Sequence, residues 1–511
     1  MRVVFFLLCL LCSHVLCAQL VLYSSFIKSA PNSRFEVAGK TGNFYWIQKS
    51  KKSSFKKRAT WATEKEYRFE IYDAHLNRVN EMDCFISDAV FEQYLVAGDA
   101  YFDQLLFVGS ATETTVVLNR FLPEGTRVAS AVPLLRFPAS MNANDFLLVR
   151  SQDKRKILLL GFEPVAETTP RVHAILFDAG WHVLFQTIYK NQDLTQPTIQ
   201  YDFTNYPLEA FDESSVKLAN NGDWLAIAPS RHNNNSILFH FPFCSNRIIQ
   251  SEIKLPQRAG IQTASLSLDD ATQQAMAGIL INSGASATKN VRIAHYLLSQ
   301  GRFDFDTTYK INTLAVAKTN EENLFEQSFM PVPGKGFLFL KEYGKPYRFV
   351  YTNEEASQQS DNEKDSMNRS LVPVSFAKND YTRFDNITGA RQAYERGDLR
   401  LYYFPATPRD TCWSGLINQA QSGELNTSYL SYACMPVEGK IIFLYNSVWY
   451  NDAKSGSTTV LDPEGHALNE GLLFWKSNNI LDFQRKKQIA TKEIAVPYER
   501  NGFQGFAIIR L

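Results

Sequence analysis

The sequence predicts an all-β protein, namely a β-propeller of seven or eight four-stranded antiparallel blades closed by its N- and C-terminal strands. Short apolar runs bounded by turn residues recur from end to end, while long amphipathic-helix patterns are scarce. Two kinds of strand–turn–strand unit alternate along the chain. Turns of the first kind mostly recur every roughly 50–68 residues, which is the period expected for propeller blades.

The first unit is a turn rich in Gly, Asn or Asp that leads into a short apolar strand. Such turn residues tolerate positive φ, so the flanking strands can close as a hairpin. Copies of this turn occur at Gly42-Asn43, 221–223, 334–336, 438–440 and Asn501-Gly502.

The second unit is a strand that ends in an acidic or amide residue and a turn. Its copies occur at 69–79, 115–128, 174–185, 292–305 and 458–468. One copy of each unit supplies four strands, the number in one blade. His75, His182 and His466 each follow a turn of this unit, so we expect them at equivalent turns.

The chain ends predict a closed ring of blades. The last hairpin has no second unit after it, and the strand at 20–27 has no hairpin before it. Together they can complete one blade and remove two exposed edges. The alternative, a pair of β-sandwich domains, requires a linker near the middle, and none is visible. We therefore expect one domain over 19–511, interrupted at about 353–370 by a polar segment that should be a mobile loop.

Residues 1–18 are typical of a cleavable secretory signal peptide. Arg2 supplies a short positive region, and residues 3–11 form an apolar run too short to span a bilayer. The small residue Ala18 precedes a polar one, so we expect cleavage after Ala18. The mature protein is then secreted, periplasmic or located at the cell surface.

A lipoprotein is the nearest alternative for this N-terminus. Cys17 lies where an acylated cysteine can lie, but Leu16 before it is larger than the residue that lipoprotein processing needs. No later segment reaches about 18 consecutive apolar residues, so no transmembrane segment is expected.

Charge and cysteine content limit the partners. The chain has 53 Lys and Arg against 52 Asp and Glu, a net charge of +1, which argues against nucleic-acid binding.

Four cysteines remain in the mature chain, too few for a disulfide scaffold in a domain of this size. Cys412 and Cys434 are the closest pair in sequence and form a candidate disulfide; two separate buried thiols are the alternative. We expect a monomer.

The segment 216–229 combines a Gly-containing hairpin with an apolar strand. It resembles the propeller repeats of secreted proteins of the TolB and WD40-like type. The resemblance holds at the level of the repeat over most of the chain. It implies a ring-shaped binding scaffold and assigns no functional residue.

Most enzymatic motifs are missing from the mature sequence. It contains no Gly-x-Ser-x-Gly, no HExxH, no CxxC pair and no P-loop, so we expect neither a metal nor a cofactor. Glycoside cleavage needs two carboxylates, and the acidic candidates for it are Asp304, Asp306 and Asp223. All three lie at turns or strand ends, where Asp commonly bonds the local backbone.

Trp449 and Tyr450 are a bulky pair that leads into a polar, Gly-containing loop, and they are the candidate ligand-binding residues. The function predicted is a non-catalytic binding or protein-interaction scaffold of the cell envelope or exterior, with a protein or glycan partner. The alternative is a carbohydrate-active propeller enzyme that uses channel-facing carboxylates.

Overall fold

The protein is an eight-bladed β-propeller in the computed structural model, so the predicted fold class is confirmed with the larger of the two blade numbers. The structure describes residues 20–25, 27–28, 33–51, 66–85, 89–141, 145–163, 171–190, 215–229, 235–256, 259–283, 289–310, 323–332, 335–350, 371–373, 390–405, 412–417, 421–424, 432–437, 440–449, 452–462, 464–473, 480–490, 492–500 and 503–510. The predicted signal peptide and the polar segment at 353–370 lie outside these residues, and both stay predictions.

The chain begins with two short strands that belong to the last blade, β1 (Leu20–Tyr23) and β2 (Ile27–Lys28). Blades 1 to 4 follow in order, each with four strands. Blade 1 contains β3 (Ser33–Thr41), β4 (Phe44–Lys51), β5 (Glu66–Tyr72) and β6 (Arg78–Phe85). Blade 2 contains β7 (Val90–Ala97), β8 (Phe102–Gly109), β9 (Glu113–Phe121) and β10 (Arg127–Pro138). Blade 3 contains β11 (Phe146–Arg150), β12 (Lys156–Glu163), β13 (Arg171–Asp178) and β14 (Val183–Lys190). Blade 4 contains β15 (Val216–Leu218), β16 (Trp224–Pro229), β17 (Ser236–Phe241) and β18 (Ile249–Ile253).

Blades 5 to 8 complete the ring. Blade 5 contains β19 (Ala259–Asp269), β20 (Gln274–Ser283), β21 (Lys289–Leu297) and β22 (Arg302–Lys310). Blade 6 contains β23 (Asn323–Val332), β24 (Gly336–Val350), β25 (Leu371–Pro373), β26 (Ala390–Pro405), β27 (Trp413–Ile417) and β28 (Gln421–Glu424), with β25 and β28 as short additions. Blade 7 contains β29 (Tyr432–Val437), β30 (Lys440–Trp449), β31 (Asp452–Leu461) and β32 (Ala467–Leu473). Blade 8 contains β33 (Ile480–Leu481), β34 (Lys487–Ala490), β35 (Glu493–Arg500) and β36 (Phe503–Arg510), and its outermost strand is β1.

The first strand of each blade lies innermost, around the central channel. First strands of neighbouring blades pack on one another, as β3 does on β7, β15 on β19 and β19 on β23. The turns between first and second strands and between third and fourth strands therefore lie on one face of the ring, which we call the tight-turn face. The remaining connections lie on the opposite face.

Burial along the strands follows from this geometry. The second strand β12 is buried along its middle because other blades cover both of its faces. The outermost strand β14 is largely exposed, because blades diverge away from the axis. The cores accordingly lie between blades, as in the cluster of blades 3 and 4 that includes Leu158, Leu176, Trp224 and Phe239.

The ring closes as the sequence predicts, with N- and C-terminal strands in one sheet. β1 pairs antiparallel with β36, with Leu20 opposite Arg510 and Tyr23 opposite Ala507. Blade 8 is also joined to blade 1 by an ion pair, because Glu493 accepts from Lys40 of blade 1 at 2.6 Å; Arg510 of blade 8 donates to the same carboxylate at 2.8 Å. Among the described residues, no helix has the length and apolar character to cross a membrane.

Candidate ligand site in the central channel

The turns between third and fourth strands hold acidic side chains in a repeated arrangement. In blade 3, Oδ1 of Asp178 accepts from the backbone N–H groups of Gly180 at 2.8 Å and His182 at 2.9 Å, and Oδ2 lies 3.0 Å from Nδ1 of His182. In blade 7, Asp462 makes the same two contacts with His466. Burial acts to raise the pKa of both carboxyls, but hydrogen bonds from the histidine outweigh it and lower each pKa. These carboxylates stabilise turns.

Blade 1 repeats the turn with one change. Oδ1 of Asp73 accepts from the backbone N–H groups of His75 and Asn77, both at 2.9 Å, and Nδ2 of Asn77 bonds Oδ2 at 3.2 Å. The prediction that the three histidines mark equivalent turns is confirmed, although His75 occupies an earlier position in its turn.

Asp223 lies in the first turn of blade 4, on the tight-turn face. Its Oδ1 accepts from the backbone N–H of Phe243 at 2.7 Å, and Oδ2 accepts from Nδ2 of Asn221 at 3.0 Å and lies 3.4 Å from Nε2 of His240. Burial acts to raise the pKa of Asp223, but these hydrogen bonds, led by that of His240, lower it. Asp223 therefore fixes one turn against another and does not face the channel.

The acidic pair predicted on one strand lies far from the axis. Asp304 and Asp306 are on β22, the outermost strand of blade 5. Asp306 forms an ion pair with Arg292, and Oδ2 of Asp304 lies 3.5 Å from Nδ1 of His295. Because three strands separate β22 from the channel wall, this pair does not provide channel-facing carboxylates.

The aromatic pair is only partly described. Trp449 is the last residue of β30, opposite Asp452, and lies at the end of the strand away from the tight-turn face. Tyr450 lies outside the described residues. Their role in ligand binding stays a prediction.

The candidate disulfide is wrong for this structure, since Cys412 and Cys434 are both free thiols. Cys412 is exposed just before β27, the outermost strand of blade 6, whereas Cys434 is buried on β29, the innermost strand of blade 7. Neighbouring strands are about 4.8 Å apart, so an innermost and an outermost position are too distant for a bond. The two cysteines are close in sequence, but the sequence does not show that their strands lie at different distances from the ring axis.

Two carboxylates that sequence reasoning missed do lie on innermost strands. Glu36 is on β3 of blade 1 and Glu92 is on β7 of blade 2, each a few residues from the strand start. Phe35 and Val37 pack toward blade 8, so by alternation Glu36 points toward blade 2. Glu92 lies opposite Phe107 of the core between blades 2 and 3, so it points toward blade 3, and both glutamates are partly exposed.

Glu92 has an apolar environment. It lies opposite Phe107, which is fully buried in the core between blades 2 and 3, and next to Phe91. Burial raises the pKa of Glu92 from its ordinary 4.5 to about 7, against a smaller lowering by the backbone N–H of Gln93 at 3.3 Å. A carboxyl of this kind can donate or accept a hydrogen bond near neutral pH.

The residues that follow Glu92 hold it in place. Oε1 of Gln93 accepts from Gln104 at 3.0 Å, and Oε1 of Gln104 accepts from Asn119 at 2.9 Å, so amides connect three strands of the blade. The hydroxyl of Tyr94 donates to the carbonyl of Phe146 in blade 3 at 2.9 Å. The strand bearing Glu92 is therefore fixed to both its own blade and the next.

Polar side chains continue around the channel wall. Partly exposed polar residues on the innermost strands of other blades include Arg150, Lys217 and Lys487. Nζ of Lys487 donates to the carbonyl of Ala38 in blade 1 at 3.0 Å, and Nη1 of Arg150 donates to that of Ala97 in blade 2 at 2.7 Å. These two cations thus connect neighbouring blades at the channel wall. Within the described residues, no three His, Cys, Asp or Glu side chains are grouped as metal ligands.

Comparison with known proteins gives no family. No family model matches the chain, and no curated protein matches it. Among solved structures, the chain is similar to the β-propeller domain of the Trilobed protease from Pyrococcus furiosus, at 8% identity and a TM-score of 0.34, covering 82% of this chain and 94% of that one. It is also similar to the polysaccharide lyase Uly1 (9% identity, TM-score 0.36, covering 95% and 100%).

A third similar structure is prolyl oligopeptidase B from Galerina marginata, at 8% identity and a TM-score of 0.36. The match covers 94% of this chain and 55% of that one. Identities and scores of this size transfer no residue role and no activity to this chain.

Proposed function

We propose that the protein is a non-catalytic binding scaffold of the cell envelope or exterior that holds a polar ligand, a glycan or an extended peptide, at the channel wall beside Glu92 of blade 2. The observation that carries this proposal is the position of Glu92, a largely desolvated but partly exposed carboxyl on an innermost strand. Sugar hydroxyls and peptide groups both donate and accept hydrogen bonds, and a carboxyl of this kind can bond with either.

The exterior location rests on the signal-like residues 1–18. We also propose that the repeats are of the TolB and WD40-like type. The support is that the segment 216–229, which carries the resemblance, forms the paired strands β15 and β16 with the hairpin between them.

The second candidate function is a carbohydrate-active enzyme, and Glu92 favours it specifically. Glu36 lies on the neighbouring innermost strand β3, but it points toward blade 2 while Glu92 points toward blade 3, so the two carboxyls do not face each other. Glycoside cleavage uses one carboxyl with a raised pKa as the acid and a second, ionised carboxylate as base or nucleophile. Glu92 fits the first role, since its pKa near 7 suits proton donation at neutral pH.

The test is a glycan and peptide array probed with residues 19–511 between about pH 6 and pH 8, a range that brackets the titration of Glu92. If the ligand contacts the neutral carboxyl, wild-type binding weakens as pH rises through about 7. Glu92→Gln, which is neutral throughout, then keeps its binding at the upper pH. Glu81→Gln, at an exposed position on the outermost strand β6, is the matched control and should behave as wild type.

Mass spectrometry of each retained glycan after incubation separates the two functions. Intact ligand with wild-type protein supports the scaffold. Products formed by the wild type but not by Glu92→Gln assign the enzyme instead. Binding with no dependence on Glu92 contradicts the channel site, and Trp449→Ala then tests the aromatic pair.

A further inference from the structure

The outermost strands of the blades differ in how their free edges are protected against pairing with another chain. Native edge strands are usually protected by charges, prolines, bulges or shortness. β22 carries Arg, Asp and Lys side chains, β10 contains two prolines and three register shifts, and β18 and β27 have only five residues each. Each of these edges is a poor template for another strand.

β14 of blade 3 lacks most of this protection. Its eight residues contain no proline, a single charged side chain at the end, and one bulge near the start. β13 pairs with one edge of β14, and no strand of the described part of the chain pairs with the other edge. Within the described residues, this edge of blade 3 thus has no strand partner, and an added strand is a common way to pair such an edge.

The side chains of β14 are also unusually apolar for an exposed strand. Val183, Leu184 and Ile188 are 49%, 39% and 51% exposed. Of the ten large apolar side chains exposed in the described residues, these three lie on β14, and no other strand carries more than two. Exposed apolar groups concentrated on one free edge indicate a contact surface.

The sequence of β14 is complementary to itself in the antiparallel direction. A two-fold axis at Gln186 places Leu184 opposite Ile188 of a second copy, and Ile188 opposite Leu184, so that apolar residues pair twice. Gln186 then lies opposite Gln186, where two amides can bond each other.

Charges at the two ends of β14 favour the same arrangement. Lys190 is exposed at the end of the strand, and the turn before its start holds the Asp178 carboxylate, which is 39% exposed. In the antiparallel arrangement Lys190 of each copy lies opposite His182 of the other, beside that carboxylate. The strand therefore meets opposite charge at both ends when its partner is a second copy.

We propose that two copies of this chain form a homodimer by antiparallel pairing of their β14 edges, in place of the monomer expected from the sequence. The pairing continues the four strands of each blade 3 into one eight-stranded sheet. Because an eight-residue edge buries less than a standard interface of roughly 1,600 Å², we expect a dissociation constant of roughly 1–100 μM.

Sedimentation velocity of the purified protein up to about 200 μM, well above that expected constant, is the primary test. Ile188→Lys places a charge opposite Leu184 twice per dimer, so it should weaken association at least about tenfold. Leu468→Lys on β32 is the matched control, because Leu468 has the same 51% exposure on another outermost strand. Lys190→Glu, a surface change that leaves the core intact, should weaken the dimer several-fold at low salt.

Cross-linking tests the register independently. Opposed Cα atoms in an antiparallel pair are about 4.5–5.5 Å apart, within reach of a disulfide. In a Cys244→Ser, Cys412→Ser background, which removes the two exposed thiols, Gln186→Cys should therefore form a covalent dimer on oxidation, and Leu468→Cys should not. The proposal is overturned if the wild type stays monomeric at the highest concentration, if Ile188→Lys and Leu468→Lys weaken association equally, or if Gln186→Cys gives no specific cross-link.

Discussion

Closure of the ring gives the sharpest test of the fold, through Phe506 on β36. This side chain is fully buried and packs across the boundary between blade 8 and blade 1. Its ring centroid lies 4.9 Å from that of Tyr72, 6.2 Å from that of Tyr45 and 6.3 Å from that of Phe35. All three partners belong to blade 1, so Phe506 joins the last blade to the first.

Replacing Phe506 with alanine should lower the free energy of unfolding by about 3–5 kcal/mol. Truncation of a fully buried phenylalanine loses the transfer free energy of its ring and leaves a cavity, which together cost about that much. The edge-to-face contact with Tyr72 contributes roughly 0.5–1.5 kcal/mol of the loss.

Urea unfolding followed by tryptophan fluorescence measures the change. Phe243→Ala is the control, since Phe243 is 39% exposed in a turn of blade 4 and its truncation should cost about 1 kcal/mol or less. Equal losses for the two variants, or a loss below about 1 kcal/mol for Phe506→Ala, would show that the terminal strands do not close the ring through this contact.

Three further predictions follow from charged and thiol groups. Glu493→Gln removes the partner of two partly buried cations, so it should lower the free energy of unfolding in urea by about 1–3 kcal/mol, between the values for exposed and buried ion pairs. The control Asp83→Asn breaks an exposed ion pair and should lower it by about 1 kcal/mol at most. Equal losses for the two variants would contradict the ion pair between blades 8 and 1. Folding raises the pKa of Glu92 from 4.5 to about 7, so between pH 4.5 and 7 the folded protein binds more protons than the unfolded chain and its stability falls as the pH rises. The loss is on the order of 2–3 kcal/mol across this range, and Glu92→Gln should abolish it. The same pH dependence of stability in wild type and Glu92→Gln would refute the burial of this carboxyl. Thiol labelling followed by peptide mass spectrometry should modify exposed Cys244 in the native protein. Cys434 should react only after unfolding, because burial raises its pKa to about 12. Labelling of Cys434 in the native protein would show that β29 is open to solvent.

Local features of the sequence predicted much of the architecture. Gly42-Asn43 forms the two-residue turn between β3 and β4 that its composition predicts, with Gly42 at a φ of 55°. The unmatched strand at 20–27 predicted the pairing of β1 with β36. The turns after the third strands of blades 1, 3 and 7 were also predicted, as strands that end in an acidic residue and a turn, and in each of them the aspartate accepts backbone N–H groups of its own turn.

The residues of the candidate ligand site could not be predicted from the sequence in the same way. Asp304 and Asp306 alternate on one strand as predicted, but the spacing does not reveal whether that strand is innermost or outermost in its blade. Glu92 was missed because it carries no motif; the available signal is an acidic residue within the apolar strand 90–97. Its raised pKa depends on Phe107, fifteen positions away along the chain and directly opposite in the sheet.

The sequence by itself determined the strands, their turns, the four-strand repeat and the joining of the two ends, because these depend on the alternation of side chains and on the φ preferences of a few turn residues. Only the tertiary structure decided the blade number, the distance of each strand from the axis, and with it which carboxylates lie on innermost strands and which apolar side chains lie on outermost ones. Those properties depend on how whole sheets pack around one axis, which no short stretch of residues encodes.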